Sequence, residues 1–319
     1  MESEITVKDV HHTYDGKKYA LSGVSFEVRK GEVFGLLGRN GAGKTTLIRI
    51  LTTLTKPTRG EVRVLGMDPE KNGQAIRSRI GVVQQSQSYE FSSVERSLDL
   101  YGMLWGVPNE ERKRRKKELI ALFGLEEFRK KRPFDLSGGE VRRVQIAREF
   151  MHDMDILFLD EPTVGLDVMM RRSMLDDLKE RVKQGLTIIF TTHNLEEADY
   201  LCDRVAVIDQ GKILALDTVD NLKRFYRGKK TVEFTVAGEE ANEFMKRLEV
   251  SLNNSEKLRR DEHGAGVVLT DDTRHTIALL IELSTNLRVQ LEWLNVRTNT
   301  LEDVFLNYLR PAEVQSSEP

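Results

Sequence analysis

A glycine-rich segment at residues 38–46 has the residue types that bind phosphate. It reads Gly-Arg-Asn-Gly-Ala-Gly-Lys-Thr-Thr and fits the pattern G-x-x-x-x-G-K-[ST]. Glycines let the backbone curl closely around a phosphate, and the amides at the start of a following helix favour its negative charge. Lys44 would reach the β- and γ-phosphates of a nucleotide, and the hydroxyl of Thr45 would be a ligand of Mg²⁺.

The flanking sequence favours phosphate binding over an ordinary glycine-rich surface turn. A strand is predicted at Val33–Leu37 and a helix at residues 45–54, which is the context that the pattern requires. The residues of this segment that we predict to contact a nucleotide are Gly38, Asn40, Gly41, Gly43, Lys44, Thr45 and Thr46.

Two adjacent carboxylates, Asp160 and Glu161, follow a second apolar run at residues 156–159. A buried strand would deliver them to the edge of a sheet, where ligands bind in folds of this kind. Neighbouring side chains on a strand point in different directions, which allows two roles. Asp160 would hold Mg²⁺, through water, and Glu161 would be the general base that polarises the attacking water. The alternative is a solvated turn after a strand, which the phosphate-binding pattern upstream disfavours.

Strands that alternate with helices must position these groups. Strands are predicted at residues 5–10, 20–28, 32–37, 60–65, 80–83, 156–159, 186–190 and 204–208. Residues 90–150 are predicted to be mostly helical. This alternation predicts an α/β fold with a mostly parallel sheet and helices on its faces.

The composition changes near residues 227–230, and a second, smaller unit follows. Predicted there, in chain order, are a strand at residues 232–236, a helix, two strands near Val267 and Val289, and two helices. We therefore predict a first domain at residues 1–225, a small α/β domain at residues 230–310 and a disordered polar tail at residues 311–319.

Composition limits the partners and the compartment. The chain of 319 residues has 49 basic and 51 acidic residues, so its formal charge of −2 gives no reason to expect nucleic acid or anionic lipid. The basic run at residues 112–117 is flanked by glutamates and is interpreted as a solvated helix face. The single cysteine, Cys202, cannot form an internal disulfide, which favours a reducing compartment. No apolar run approaches the ~18–20 residues that cross a bilayer, so another chain would have to supply membrane-spanning helices.

The segment Leu-Ser-Gly-Gly-Glu at residues 136–140 makes the identification specific. It resembles the signature of the ATP-binding cassette family, and it lies between the phosphate-binding pattern and the carboxylate pair, as in that family. Ser137, Gly138 and Gly139 at a helix start would form a second anion site from a hydroxyl and bare amides. An ordinary helix cap would explain Ser137 alone, but it would not explain the other family motifs in order around it.

Four further residues match family motifs in order along the chain. Tyr14 lies where the family places an aromatic ring that stacks on adenine. Gln85 matches the glutamine that reports on the metal and the water and touches the membrane partner. Asp167 closes the segment Val-Gly-Leu-Asp, which resembles the loop that crosses to the other subunit, and His193 matches the histidine that contacts the γ-phosphate.

The resemblance covers residues 1–225 and implies the family's fold and mechanism. The fold would be a P-loop NTPase of ABC type, with a mixed-sheet core, an N-terminal antiparallel β part and a helical subdomain at about residues 90–150, plus the small α/β domain. Two subunits would dock head to tail, with each ATP between residues 38–45 of one and residues 137–140 of the other. The implied catalytic residues are Lys44, Gln85, Glu161 and His193, and the implied ligands of Mg²⁺ are Thr45, Gln85 and Asp160.

Two residues depart from the family pattern. Glu140 stands where glutamine is commoner, and a carboxylate near a triphosphate is unfavourable unless it points away or pairs with Arg142 or Arg143. Gln84 stands where proline is common, which leaves the register open between Gln84 and Gln85.

The segment Leu-Glu-Asp-Val-Phe-Leu at residues 301–306 resembles the closing motif of exporter ATPases for drugs, antibiotics, lipids and polysaccharides. An amphipathic helix that packs on its own domain would explain the same residues. The implied protein is the ATP-binding subunit of a membrane exporter, cytoplasmic and peripheral at the inner face of the membrane. It would form a homodimer or heterodimer on a separately encoded permease.

Two other functions compete with the exporter subunit. One is a soluble cassette ATPase that acts on nucleic acid or on a protein assembly without a permease. Such proteins usually carry two cassettes or a long coiled coil, and this sequence shows one cassette and no heptad run. The other is a binding module with degenerate catalysis, against which the intact Lys44, Asp160, Glu161 and His193 argue.

Overall fold

The computed structural model divides the chain into two units, Met1–Val219 and Asp220–Pro319. It describes residues 3–84, 92–224, 230–238, 240–253, 256–260, 265–298, 300–302 and 305. The predicted tail, Gln85 and half of the segment at residues 301–306 therefore lie outside the described residues. Among the helices of the described part, none is long and apolar enough to cross a membrane.

A six-stranded sheet forms the centre of the first unit, in the order β5-β6-β7-β3-β8-β9. Its strands are β3 (Val33–Leu37), β5 (Ile80–Val83), β6 (Ile156–Asp160), β7 (Thr187–Thr192), β8 (Arg204–Asp209) and β9 (Lys212–Thr218). All pairs are parallel except β8 with β9, and every residue of β3, β6 and β7 is buried. Such nearly continuous apolar strands must be covered on both faces, which is why helices flank the sheet.

The strand register brings the chemical motifs to one edge of this sheet. Leu37 is opposite Thr192, and Asp160 is opposite Thr191. The phosphate-binding segment follows Leu37, His193 follows Thr192, and Asp160 of the carboxylate pair is itself the last residue of its strand. Because the carboxyl ends of parallel strands meet at the same edge, ligands bind there in open α/β sheets.

A three-stranded antiparallel sheet, in the order β2-β1-β4, packs on the main sheet. Its strands are β1 (Ser3–Thr13), β2 (Tyr19–Arg29) and β4 (Arg59–Val64). Alternate residues of these strands are buried in one apolar cluster with residues of β3 and β6. The rings of Phe26 and Phe34, one from each sheet, stack 5.1 Å apart. This arrangement confirms the predicted mixed-sheet core with an antiparallel N-terminal part.

The helices of the first unit follow the sheet strands. They are α1 (Lys44–Leu51), α2 (Gly73–Arg77), α3 (Val94–Leu104), α4 (Asn109–Leu122), α5 (Gly138–Glu149), α6 (Val168–Lys183) and α7 (Leu195–Leu201), with α8 (Val219–Arg224) at the junction. Two short 3₁₀ helices, Glu126–Phe128 and Pro133–Asp135, lie between α4 and α5. The basic run of α4 pairs with carboxylates: Arg112 with Asp99 at 2.9 Å, and Arg115 with Glu111 at 2.7 Å.

The described residues of the second unit include a four-stranded antiparallel sheet, in the order β11-β12-β10-β13, with a helix after β10 and another after β12. Its elements are β10 (Lys230–Ala237), α9 (Ala241–Ser251), β11 (Lys257–Arg260), β12 (Gly266–Thr270), α10 (Thr273–Leu287) and β13 (Gln290–Thr298). Val232, Phe234, Phe244, Leu248 and Leu280 are buried in its core.

The order of elements in this unit corrects the sequence prediction. Both helices near the end were predicted to follow the strand near Val289, but α10 lies between β12 and β13. Strand β11, which was not predicted, has only Leu258 as an apolar residue, so it carries no alternation that a pattern could detect. Helix α2 and strand β9 of the first unit were also missed, α2 because five residues are too few to show a helical period.

A buried carboxylate joins three elements of the second unit. Glu256, before β11, accepts hydrogen bonds from the hydroxyls of Thr270 at 2.6 Å and Thr276 at 2.8 Å. It also accepts one from the amide of Asn253 at 3.0 Å. Burial disfavours its charge, but these hydrogen bonds and nearby His275 outweigh burial and hold the pKa of Glu256 below its usual value of 4.5.

We expect Glu256→Ala to lower the free energy of unfolding of the second unit by about 2–3 kcal/mol, because buried hydroxyls lose a charged acceptor. The lowered pKa means that this contribution is present above pH 4.5 and is lost as pH falls through the folded-state pKa. Urea titration of a Trp105→Phe background, in which Trp293 is the remaining tryptophan, measures this unit. An equal urea midpoint at pH 7 for the Trp105→Phe background with and without Glu256→Ala would contradict the prediction. The control is Glu249→Ala, a residue on the exposed side of α9.

Candidate nucleotide site

The phosphate loop, residues 38–43, connects β3 to α1 without room for side chains at two positions. A Cβ on Gly38 would lie 2.3 Å from the carbonyl oxygen of Ile208, and one on Gly43 would lie 2.7 Å from that of Ala20. Gly43 also has φ +110° and occupies the N-cap of α1, where the described part of the chain supplies no side-chain cap. The first amides of α1 are thus left for an anion, which a helix N-terminus favours.

Lys44, the first residue of α1, is buried and lies across the phosphate loop. Its Nζ donates to the carbonyl oxygens of Gly38 at 2.6 Å and Arg39 at 3.3 Å, and lies 3.6 Å from Oε1 of Glu161. Burial lowers the pKa of Lys44, and the carboxylates of Glu161 and Asp160 oppose that shift. These carboxylates therefore favour a charged lysine beside the loop.

Thr45 and Asp160 form a pair of oxygen donors at the sheet edge. The Thr45 hydroxyl donates to Oδ2 of Asp160 at 3.0 Å, and the hydroxyl of Thr191 on β7 donates to Oδ1 at 2.6 Å. Hydroxyl and carboxylate oxygens are the ligands that Mg²⁺ prefers, so the donor set fits this cation. Thr191, which fixes the rotation of the carboxylate, was not predicted from the sequence.

Glu161 occupies a strained turn next to Asp160. Its φ is +49°, a region that costs a residue with a side chain about 1–3 kcal/mol and requires support from its surroundings. Its amide donates to the carbonyl and the hydroxyl of Thr191, at 3.1 and 3.0 Å. Its carboxylate is only 6% exposed and lies 3.5 Å from Nδ1 of His193, which is 59% exposed. The strand end thus holds the carboxylate between an imidazole and Lys44.

Tyr14 lies beside a separate cavity. Its ring meets that of His12 edge to face at 4.6 Å, and its hydroxyl lies 3.2 Å from that of Thr46. A cavity of about 630 Å³ is lined by Tyr14, Asp15, Lys18, Tyr19, Ala20, Gly41 and Gln210. A second cavity, of about 310 Å³, runs along the phosphate loop and shares Ala20 and Gly41 with it. A flat base and its phosphates can therefore occupy adjoining spaces.

Gln210 and Tyr19 in the first cavity were missed by the sequence analysis. Gln210 lies at the β8–β9 turn, where the next residue, Gly211, donates to the carbonyl oxygen of Ala42 at 2.9 Å. The turn reaches the phosphate loop only through the tertiary fold, so no local pattern could reveal it.

The signature segment, residues 137–140, begins α5 with a reciprocal cap. The Ser137 hydroxyl accepts from the amide of Glu140 at 3.3 Å, and the Glu140 carboxylate accepts from the amide of Ser137 at 2.6 Å. That backbone hydrogen bond is the main reason why the pKa of Glu140 is lowered. Glu140 therefore points back to the start of its own helix instead of pairing with Arg142, and its carboxylate caps the amide of Ser137.

The signature segment does not line the phosphate cavity of its own chain. The described residues around that cavity are Ala20, Arg39 to Thr46 and Glu161. A Cβ on Gly139 would instead lie 3.2 Å from the carbonyl oxygen of Gly165, in the predicted subunit-crossing loop. Asp167 of that loop caps α6 by accepting from the amide of Met170 at 2.9 Å. Gln85 lies outside the described residues.

Glu197 on α7 is a buried carboxylate that the sequence analysis did not select. It accepts hydrogen bonds from the hydroxyls of Thr163 at 2.8 Å and Thr192 at 2.9 Å, and lies 3.4 Å from Nε of Arg171. Thr163 leads into the loop at residues 164–167, and Thr192 precedes His193. Glu197 thus ties together the two segments whose sequences resemble family motifs.

Comparison with known proteins identifies the family. The sequence matches the ABC transporter family over residues 21–164. It is 33% identical over 293 residues to the linearmycin resistance ATP-binding protein LnrL of Bacillus subtilis (strain 168), covering 92% of this chain and 94% of that protein. It is 36% identical over 308 residues to the daunorubicin/doxorubicin resistance ATP-binding protein DrrA of Streptomyces peucetius, covering 96% and 92%.

Solved structures agree with these sequence matches. An ATP-binding subunit of an ABC transporter has a TM-score of 0.65 at 30% identity, covering 70% of this chain and 92% of that structure. A dimeric ATP-binding cassette, in a post-hydrolysis state bound to ADP and Pi, has a TM-score of 0.63 at 28% identity, covering 67% and 98%. This chain belongs to the ATP-binding cassette family and is an ATP-binding, ATP-hydrolysing protein of ABC type.

Proposed function

We propose that this chain is the subunit that powers a membrane exporter, and that ATP bound between two such subunits drives their closure. One observation carries this proposal most strongly: Lys44, Thr45, Asp160, Glu161 and His193 converge at one sheet edge, without the signature segment. One subunit thus brings together the proposed catalytic residues but not the signature segment, so a second subunit must supply that segment to complete the site.

The residues at the sheet edge support hydrolysis of the γ-phosphate. The attacking water gives its proton to the Glu161 carboxylate while its oxygen bonds to the γ-phosphorus. The bond from that phosphorus to the β,γ-bridging oxygen breaks, which yields ADP and phosphate. Lys44, whose Nζ lies 3.6 Å from Oε1 of Glu161, would stabilise the charge on the β- and γ-phosphates. His193 would contact the γ-phosphate.

The pair Thr45 and Asp160 would hold Mg²⁺, directly through the hydroxyl and through water at the carboxylate. The ion supplies charge neutralisation between the β- and γ-phosphates. Thr191 holds Asp160 in the required orientation, since its hydroxyl occupies the other carboxylate oxygen at 2.6 Å. Gln85 is proposed as a further ligand on the family resemblance alone.

The second subunit would supply residues 137–140 to the phosphate. Because the Glu140 carboxylate caps the amide of Ser137, the bare amides of Gly138 and Gly139 at the start of α5 remain for an anion. The relative solved as a dimer with ADP and Pi supports dimerisation of the nucleotide-binding subunit.

The partner on the membrane would be a separately encoded permease that docks on the end of α3. Met103 and Leu104 are exposed there, Leu104 by 71%, which is unusual for adjacent apolar residues of a helix end. Helix α3 begins ten residues after Gln84, so a permease seated on it can move the segment that leads to Gln85. The resistance functions in the names of LnrL and DrrA support export of an antibiotic-like compound. The protein would then work at the inner face of the cell membrane.

Co-purification tests this proposal. We expect the Glu161→Gln variant, expressed in its native host and extracted in mild detergent with ATP, to bring down a polytopic membrane protein at near-equal amount. Blocking hydrolysis should hold the closed dimer on its partner. Adding Leu104→Glu should remove the membrane protein, because a charge must then be buried in an apolar contact.

The matched control is Leu54→Glu, a comparably exposed leucine after α1, which should keep the membrane protein. Recovery of a soluble dimer alone, or of nucleic acid with its binding proteins, would contradict the exporter and favour a cassette ATPase without a permease.

A further inference from the structure

Arg142 is a buried cation in the second turn of α5, five residues after Ser137. Its side chain is 4% exposed. A buried guanidinium is tolerated only when its donors are satisfied, so the groups that receive them show what the residue does. Burial lowers the pKa of Arg142 to about 10, opposed by Asp160 and Glu161, so the side chain is charged at neutral pH.

The acceptors of Arg142 are main-chain carbonyls of the acidic turn, residues 160–162. Its Nη2 donates to the carbonyl oxygens of Asp160 at 2.7 Å and Glu161 at 2.8 Å, and its Nε donates to that of Pro162 at 3.0 Å. Three consecutive carbonyls thus point at one guanidinium. This is the turn in which Glu161 has φ +49°, a conformation that must be held by its surroundings.

The remaining nitrogen of Arg142 reaches a third element. Its Nη1 donates to the carbonyl oxygen of Gln84, which follows β5, and to Oε1 of Gln145 at 3.2 Å, one turn along α5. One side chain therefore joins the helix that begins with the signature segment, the turn that carries Glu161 and the segment that leads to Gln85.

We propose that Arg142 is a positioning residue that couples the orientation of the signature helix α5 to the Glu161 carboxylate and to Gln84, which follows β5. When α5 shifts as residues 137–140 meet the ATP of the opposite subunit, the guanidinium carries the acidic turn with it. The general base is then aligned only while the opposite ATP is engaged. This proposal rests on the proposed function, since it takes Glu161 as the base.

The first test is steady-state hydrolysis by Arg142→Gln and Arg142→Lys. Because Arg142 bonds to the turn and not to the nucleotide, we expect kcat to fall about ten- to a hundred-fold in the glutamine variant while KM for ATP changes less than about three-fold. The lysine variant keeps the charge but can donate to fewer carbonyls, so its kcat should lie between that of the wild type and that of the glutamine variant. The matched control is Arg143→Gln, because Arg143 bonds to the carbonyls of Phe123 and Gly124 instead.

A second test separates positioning from folding. Millimolar guanidinium, far below denaturing concentrations, should restore part of the kcat of Arg142→Ala and should leave the wild type and Arg143→Gln unchanged. If the glutamine and alanine variants fail to fold, Arg142→Lys carries the test through its kcat and KM. A kcat within two-fold of the wild type in a folded Arg142→Gln protein, or a loss confined to KM, would overturn the proposal.

A double-variant comparison distinguishes failure of this proposal from failure of the proposed function. In the Glu161→Gln background, Arg142→Gln should cause no further loss of hydrolysis, because the group that it positions has gone. Independent, multiplicative losses would overturn the coupling while leaving Glu161 as the base. Full activity of Glu161→Gln itself would instead contradict the proposed function.

Discussion

Replacing Glu161 by glutamine should abolish most ATP hydrolysis, with a fall in kcat of about 10²–10⁴-fold. The amide has the shape of the carboxylate but cannot accept the proton of the attacking water. Glutamine also fits the strained turn, whose support comes from main-chain contacts to Thr191 and Arg142. Phosphate release under saturating ATP measures kcat, and equilibrium binding of ATP shows whether the site is intact.

ATP affinity separates loss of the base from loss of the site. Glu161 lies 3.6 Å from the buried Lys44 and competes with a phosphate for it, so Glu161→Gln should bind ATP at least as tightly as the wild type. The variant should therefore accumulate as an ATP-dependent dimer in size-exclusion chromatography. Glu161→Asp keeps a carboxylate but withdraws it by one methylene, and should retain more activity than the glutamine variant. Unchanged hydrolysis by Glu161→Gln would show that another group is the base.

The meeting of the motifs at one sheet edge could be predicted from the sequence because each follows an apolar strand. Lys44 and His193 come after β3 and β7, Asp160 is the last residue of β6, and parallel strands end at the same edge. Local sequence thus carried the information, since a strand followed by a polar group has a recognisable pattern. The direction of Glu140 was left open between pointing away and pairing with Arg142 or Arg143, although the spacing of Ser137 and Glu140 is that of a reciprocal helix cap.

The contacts that hold these groups could not be predicted, because they join distant segments through main-chain atoms. Arg142 bonds to the carbonyl of Gln84, 58 residues away, and any residue type presents such a carbonyl. Thr191 looks like an ordinary strand residue, and only the pairing of β6 with β7 places its hydroxyl on Asp160. Sequence patterns therefore predicted the strand ends at which the proposed reacting groups lie, whereas the groups that orient them required the tertiary structure.

Replacing Lys44 by alanine should cause a loss of a different kind, because we assign this residue to the phosphate and not to the attacking water. The buried ammonium lies against the phosphate loop, with Nζ 2.6 Å from the carbonyl oxygen of Gly38. Without the Lys44 ammonium, the carboxylate of Glu161, a residue only 6% exposed, has lost the cation that lay 3.6 Å away. ATP binding would then bring the triphosphate close to an unneutralised carboxylate. We expect a fall in ATP affinity of about ten- to a hundred-fold and a fall in kcat/KM of about 10³-fold or more.

Lys44→Arg tests whether charge alone is sufficient. The guanidinium is wider than the ammonium, and the closed loop offers little room, since Gly38 and Gly43 already contact neighbouring backbone. The arginine variant should therefore recover less than a tenth of wild-type kcat/KM, although its net charge is unchanged. Isothermal titration with ATP distinguishes Lys44→Ala from Glu161→Gln. The heat of ATP binding should be lost in Lys44→Ala and retained in Glu161→Gln. If Lys44→Ala bound ATP normally and lost only kcat, the lysine would act on the transition state alone, and its assignment to ground-state phosphate binding would be wrong.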